Sequence, residues 1–487
     1  MAALALAWGL GPALPTLLRG ELLGHPWTDL YPAVWGLWAS GQGDELLAAR
    51  TELLGFPEGM GFAYSSPIKA LLARPLLPLL GLVPTWNLLL IAARVATVAT
   101  TWAAARAWGA RPGGALLAAA VFACSPFFHG YAVEGIVEGT DGWTLALWAW
   151  ALGRGRTLLA VPLMALTILS SWYLGVAGLV LCVLASPWRP GALLSLAGPL
   201  LAAPALASFL SAFPALAPLD PAVRAAMGTP LLPRAPGMLP GLSPFAITSW
   251  LGLLLPLMLA KGRSRLALLA LVPWVLSLGF GPWYELPGLE LLRFPYRLHA
   301  ATLAILALAA SRLPWPRLAL FAPLIVAEGL LLSPVEPLLP GAPVEVPALY
   351  DRVDGPLLEV PSIVAMPPGQ VNPSRARARS LFYYQAHHGQ PSPWTPDFNA
   401  VGTLPGDAWL APFAAWDPLV AKTPPEELEE GAVELLRGRG VELVMVQGKE
   451  LGAERSRRLI EGLVAQGARV EGAEGTRTLL RVGGAER

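Results

Sequence analysis

The stretch SSPIKALLARPLLPLLGLV, residues Ser65–Val83, decides the topology. It is apolar enough to pass for a membrane span, yet Pro67, Pro75 and Pro78 interrupt it and Lys69 and Arg74 charge it. Each proline removes an amide donor and kinks a helix, so residues 65–83 read as a re-entrant or interface-lying segment on the outer face. Counting it as a span would invert every later loop and put the basic connections outside.

Working outward from it, apolar runs cover residues 2–18, 86–105, 113–128, 142–153, 157–172, 173–186, 191–212, 244–260, 266–281, 298–312 and 316–333. Several fall short of the roughly 20 residues that cross a bilayer, but together they make eleven candidate spans. With the N-terminus inside, the inner loops carry Arg106, Arg111, Arg154, Arg156, Arg189, Lys261, Arg263, Arg265, Arg312 and Arg317, and no acid. Lys and Arg accumulate on the cytoplasmic side of short connections. Of the 13 acids before residue 334, twelve fall in outer loops and Glu328 sits toward the outer end of the last run. The first run ends at Leu18-Arg19 without a small-residue cleavage site and reads as a retained span.

Composition agrees. Of 487 residues 55% are apolar and 14% charged, against roughly a quarter charged in soluble proteins, which argues against a soluble enzyme. The net charge of +1 suggests no nucleic-acid partner. Beyond residue 333 lie 20 of the 33 acids and 15 of the 34 bases, so the chain divides into a membrane body, 1–333, and a polar domain, 334–487. The expected fold is mainly α: a polytopic transmembrane helical bundle of about eleven spans with a C-terminal extracytoplasmic α/β domain. Cys124 and Cys182 both lie in apolar runs and offer neither a disulfide framework nor a thiolate metal site, so the C-terminal domain is expected to rely on its own core.

That domain opens with a proline-rich connection, Pro334 to Pro347, and shows strand-like runs at 357–360, 441–446 and 478–482 with helical patterns at 424–438 and 452–466. Tyr383 to Pro391 offers aromatics and imidazoles suited to a sugar acceptor or to a plain structural role. Metal binding by His387 and His388 is disfavoured if they lie on a strand, where neighbours face opposite sides.

Three outer segments could carry chemistry. Outer loop 1, residues 19–85, opens with Gly24-His25-Pro26-Trp27-Thr28-Asp29-Leu30-Tyr31-Pro32. A carboxylate at the water boundary among aromatics suits general-base work on a hydroxyl, although Asp29 could equally cap an interfacial helix over 30–40. Outer loop 2 holds His129, Glu134, Glu138 and Asp141 among glycines. These could form a second carboxylate cluster, or weakly a divalent-cation site, or a merely solvated acidic loop. The third, Leu291-Leu292-Arg293-Phe294-Pro295-Tyr296-Arg297-Leu298-His299, places two arginines at the outer surface, against the charge rule. Paired guanidiniums suit a phosphate or pyrophosphate; snorkelling to anionic headgroups is the plainer alternative. Carboxylates, an arginine pair and an apolar groove near 65–83 together suit glycosyl transfer from a polyprenyl-phosphate sugar.

On these residues the chain resembles the GT-C superfamily of polytopic glycosyltransferases, in particular YfhO-type bacterial membrane proteins. The pieces are Thr28-Asp29-Leu30-Tyr31-Pro32, Phe62 to Pro67, Trp86-Asn87-Leu88-Leu89, Phe122 to Phe128 and Arg293-Phe294-Pro295-Tyr296-Arg297. The resemblance implies an extracytoplasmic active site, a lipid-linked donor, inversion at the anomeric carbon and an acid of the first outer loop as base, here Asp29. Many such proteins carry an acid doublet there; this chain has Thr28 and Leu30 on either side, which leaves Glu138 and Asp141 to assist.

The expectation is therefore a multi-pass protein of the bacterial inner membrane, N-terminus cytoplasmic, transferring sugar to an envelope polymer, lipid or protein. Asp29, Glu138 and Asp141 are expected to be catalytic. Arg293, Tyr296, Arg297, His25, His129 and Lys69 are expected to bind substrate, with no cofactor. Its partners would be the lipid-linked donor and membrane lipids. A non-catalytic lipid flippase or envelope assembly factor is the rival reading. An ion-coupled transporter fits less well, because paired intramembrane acids and bases are lacking.

Overall fold

The computed structural model describes residues 1–42, 47, 49–212, 264–279, 281–285, 295–313, 320–332, 335–361, 380–394, 408–418 and 420–483. The expected span at 244–260, the loop residues Lys261, Arg263 and Arg317, and the site residue Arg293 lie outside them.

Helices follow the apolar runs closely. They are α1 (Ala2–Leu10), α2 (Leu14–Leu18), α3 (Leu30–Gln42), α4 (Pro67–Leu80), α5 (Leu82–Ala107), α6 (Pro112–Phe122), α7 (Pro126–Glu134), α8 (Gly142–Gly153), α9 (Thr157–Ser170) and α10 (Trp172–Ala185). Further helices run Ala203–Ala212, Ser264–Ser277, His299–Ser311 and Phe321–Leu332. Eleven spans were expected, but among the described residues only α5 is by itself long and apolar enough to cross a membrane. Two bent pairs would do so as single spans: α6 with α7, at 44°, and Pro190–Leu201 with Ala203–Ala212, at 51°. Pro12 sits in the 3₁₀ turn between α1 and α2, and Pro162 lies inside α9.

The bundle core joins Phe122, Phe127, Phe128, Tyr131, Trp148 and Met164. One close seam is at Gly114 on α6, where an added Cβ would stand 2.1 Å from the carbonyl oxygen of Ser311. Small residues let helix backbones approach this closely.

Among the described residues eight short strands complete the fold: β1 (Leu22–Leu23), β2 (Arg50–Thr51), β3 (Met60–Gly61), β4 (Gly341–Ala342), β5 (Leu357–Val360), β6 (Leu443–Gln447), β7 (Arg469–Glu474) and β8 (Arg477–Arg481). The C-terminal region builds a sheet in the order β5-β6-β8-β7, with β5 and β6 parallel and the other pairs antiparallel. Helix Ala453–Ala465 buries Leu459 and Leu463, the i,i+4 stripe of an amphipathic helix.

Two expectations are corrected here. The segment around His387 and His388 is a helix, Ser380–His388, and not a strand. His387 Nε2 lies 2.8 Å from Asp351 Oδ1, and His388 stacks on Tyr350. The C-terminal domain also does not rely on its own core alone. One face of its sheet packs Leu349, Tyr350, Leu357 and Leu443. The opposite face shares a core with outer loop 1, uniting Leu30, Trp35 and Leu54 with Phe382, Trp394 and Val444. Pairing of β1 with β4 ties the loop to the proline-rich connection.

Candidate active site

Outer loop 2 is set by how α7 stops. Ser125 caps its start by accepting the Phe128 N–H, and Gly135 ends it in the left-handed region at φ 66°. A single 3₁₀ turn, Val137–Gly139, then carries the chain into α8. Glu138 and Asp141 are thereby turned inward, against α4.

The first residues of α4 receive them. Ser66 Oγ donates to Asp141 Oδ2 at 3.5 Å, and Trp143 Nε1 donates to Asp141 Oδ1 at 3.1 Å. Lys69 Nζ stands 3.2 Å from Asp141 Oδ2, donates to the Val137 carbonyl at 2.8 Å and donates to Thr140 Oγ1. An ammonium has three N–H groups, so all of those on Lys69 are used.

Arg297 closes the opposite side from the 3₁₀ turn Pro295–Leu298. Its Nη1 donates to Glu138 Oε1 at 2.7 Å, while Ser65 Oγ donates to Glu138 Oε2 at 3.1 Å. The guanidinium lies 4.3 Å from the ring centre of Tyr173 and 5.8 and 5.9 Å from those of Tyr131 and Tyr296. Tyr131 and Tyr296 themselves stack at 6.3 Å. Aromatic faces attract the cation and orient its plane.

The two carboxylates are held differently. Burial pushes the Glu138 carboxyl up, but Arg297 and the hydrogen bond from Ser65 outweigh it and leave it below the usual carboxylate range. At Asp141 burial prevails over Lys69 and the carboxyl is raised. The two carboxyls of one site are thus pushed in opposite directions.

Asp29 and His25 occupy a turn clamped to the end of α7. The His25 N–H donates to the Val133 carbonyl at 2.7 Å, and Thr28 Oγ1 donates to the Glu134 carbonyl at 2.6 Å. Asp29 is half-buried at the head of α3, its carbonyl accepting the Ala33 N–H at 2.9 Å. The turn fits because residue 135 is glycine: a Cβ there would lie 2.8 Å from Leu30 Cα.

The structure removes His129 from this group. It was expected in an exposed loop, but α7 continues through it and turns it toward α1 and α5. Arg94 Nη1 contacts His129 Nδ1 at 3.1 Å. A guanidinium only donates, so Nδ1 accepts and Nε2 carries the hydrogen that goes to the Glu336 carbonyl at 2.7 Å. Arg94 also donates to the Trp8 carbonyl at 2.8 Å. Without His129 the proposed cation set is broken up, and among the described residues no three His, Cys, Asp or Glu side chains gather as a metal site. Ser65, Ser66, Tyr131 and Tyr173 were missed. The first three flank motifs already singled out, whereas Tyr173 hides in an apolar run with no local signal.

No protein-family model matches the chain, and neither does any curated protein. Solved structures do. Arabinofuranosyltransferase AftD from Mycobacteria superposes with a TM-score of 0.56 and 17% identity over 100% of this chain. The Archaeoglobus fulgidus oligosaccharyltransferase in its apo form gives 0.52 and 11% identity, covering 91% of this chain and 68% of that one. The archaeal oligosaccharyltransferase AglB from the same organism, bound to an inhibitory peptide and a dolichol-phosphate, gives 0.51 and 10% identity, covering 92% and 68%. The chain shares the fold of these structures, as the resemblance to the GT-C superfamily implied. It spans 40% of the length of AftD.

Proposed function

We propose that this protein is a membrane glycosyltransferase that moves a sugar from a polyprenyl-phosphate-linked donor to a cell-envelope acceptor on the outer face of the bacterial inner membrane. In this reading the chain crosses eleven times with its N-terminus inside, which the acid-free basic loops support. The motifs around Asp29 and Arg297 resemble those of YfhO-type proteins, which supports a place near them.

The observation that carries the reading is the convergence of Ser65 to Lys69, Tyr131 to Asp141, Tyr173, and Tyr296-Arg297 on one pair of carboxylates and one oriented guanidinium. Arg297, with Arg293, holds the phosphate and stabilises the charge it gains as the sugar departs. Tyr296 and His25 line the donor's approach. Asp29 takes the proton of the acceptor hydroxyl, and Glu138 and Asp141 fix the electrostatics around it. Lys69, with every donor used internally, locks Asp141 in place. The neighbour bound to dolichol-phosphate supports a lipid-phosphate ligand for this fold. A non-catalytic lipid flippase or assembly factor gains support from the missing acid doublet, since Thr28 and Leu30 flank Asp29.

Reconstituted protein supplied with labelled lipid-linked donor and an envelope extract separates the two. Asp29→Asn is expected to lower sugar transfer by about 100-fold or more while donor binding persists. Transfer at the wild-type rate would remove Asp29 from the mechanism.

A further inference from the structure

The two cations of the site are not equivalent. Lys69 has all three donors engaged and sits with Asp141 at side-chain exposures of 5% and 2%. Arg297 is equally buried at 6%, but its partner Glu138 keeps 17% of its side chain exposed. Among the described residues Arg297 and Ser65 are the side chains that hold the Glu138 carboxylate, beside a backbone N–H of its own, whereas Asp141 has the side chains of Lys69, Ser66 and Trp143. Of the two pairs, Arg297 with Glu138 is the one that solvent reaches and that can exchange.

A guanidinium binds a carboxylate and a phosphate with the same planar fork. Glu138 Oε1, at 2.7 Å from Arg297 Nη1, already occupies a position that an incoming phosphate oxygen would need. Two anions cannot share it without strong repulsion.

We propose that Glu138 is an internal stand-in for the donor phosphate: it neutralises Arg297 while the site is empty and is displaced when a lipid phosphate binds. The inference rests on the glycosyl-transfer reading in taking Arg297 as the phosphate residue. Ordered exchange follows from it. The carboxylate, still held by Ser65, is set free toward the acceptor only after the donor is in place. The buried Arg297 is never left without an anion, a state that low-dielectric surroundings penalise.

The test is a titration of the purified full chain in detergent with farnesyl phosphate, a short polyprenyl phosphate. Glu138→Gln is expected to bind it about tenfold more tightly than wild type, a gain of about 1.4 kcal/mol. Ser65→Ala, which removes one hold on Glu138, is expected to shift binding the same way by less. This second variant carries the test should Glu138→Gln not fold. Arg297→Gln is expected to lose binding. Unchanged or weaker binding by Glu138→Gln and Ser65→Ala, with loss in Arg297→Gln, would overturn the exchange and leave Arg297 as the phosphate residue. Wild-type binding by Arg297→Gln would instead overturn that assignment itself. Equal competition by phosphatidylglycerol would contradict a site tuned to polyprenyl phosphate.

Discussion

Glu359 stands on β5 with Tyr350 donating to Oε1 and Gln447 donating to Oε2, each at 2.7 Å, while Arg477 donates to Gln447 Oε1 at 3.0 Å. Burial at 3% exposure pushes its pKa up to about 7. The folded state therefore holds this proton more tightly than the unfolded chain. The resulting stability is full below about pH 4.5 and is lost as the pH rises through about 7, an effect of about 3 kcal/mol. Glu359→Gln should flatten the slope of unfolding stability between pH 5 and pH 8; an unchanged slope would show that another group titrates. In the sequence Glu359 is an acid in a short apolar run, and nothing local marks it as buried. Its partners come from positions 350 and 447, so only the sheet brings them together. Arg297 was legible for the converse reason: a base on the outer side breaks the charge pattern by itself. Its tyrosine cage was only partly legible, since Tyr296 adjoins it in sequence and Tyr173 does not.

Helix ends rather than helix middles position the site. Gly135 combines a left-handed φ of 66° with a 2.8 Å approach to Leu30 Cα. Gly135→Ala should cost about 1–2 kcal/mol for the backbone alone. It should also push the turn carrying Asp29 away from α7. Transfer activity should fall more than the thermal midpoint does, and full activity would mean the clamp does not position Asp29. The helices themselves were legible because apolar runs and prolines set their limits, as at α8, expected and found over 142–153. Strand β7 was missed because it is an exposed edge strand, Arg469–Glu474, with a bulge between Val470 and Gly472 and no clean alternation. The helix Ser380–His388 has no such apolar run to mark it, being rich in aromatics and imidazoles.

At the scale of the whole molecule, the uneven charge distribution suggests a helical body and a polar C-terminal region. It did not tell that outer loop 1 and the sheet would share one core, because a shared core joins residues such as Trp35 and Phe382 that are remote in sequence. That shared core sets outer loop 1 between the sheet domain and outer loop 2. Through that core the sheet connects to the turn of Asp29, which the Thr28 and His25 hydrogen bonds hold to α7. Central to the account is that the buried Arg297 grips a lipid-linked sugar phosphate. Mass spectrometry of lipids retained by the purified wild-type chain and by Arg297→Gln tests this most directly. The account predicts a polyprenyl-phosphate sugar on the wild type and its loss from the variant. Bulk phospholipid alone on both would contradict it.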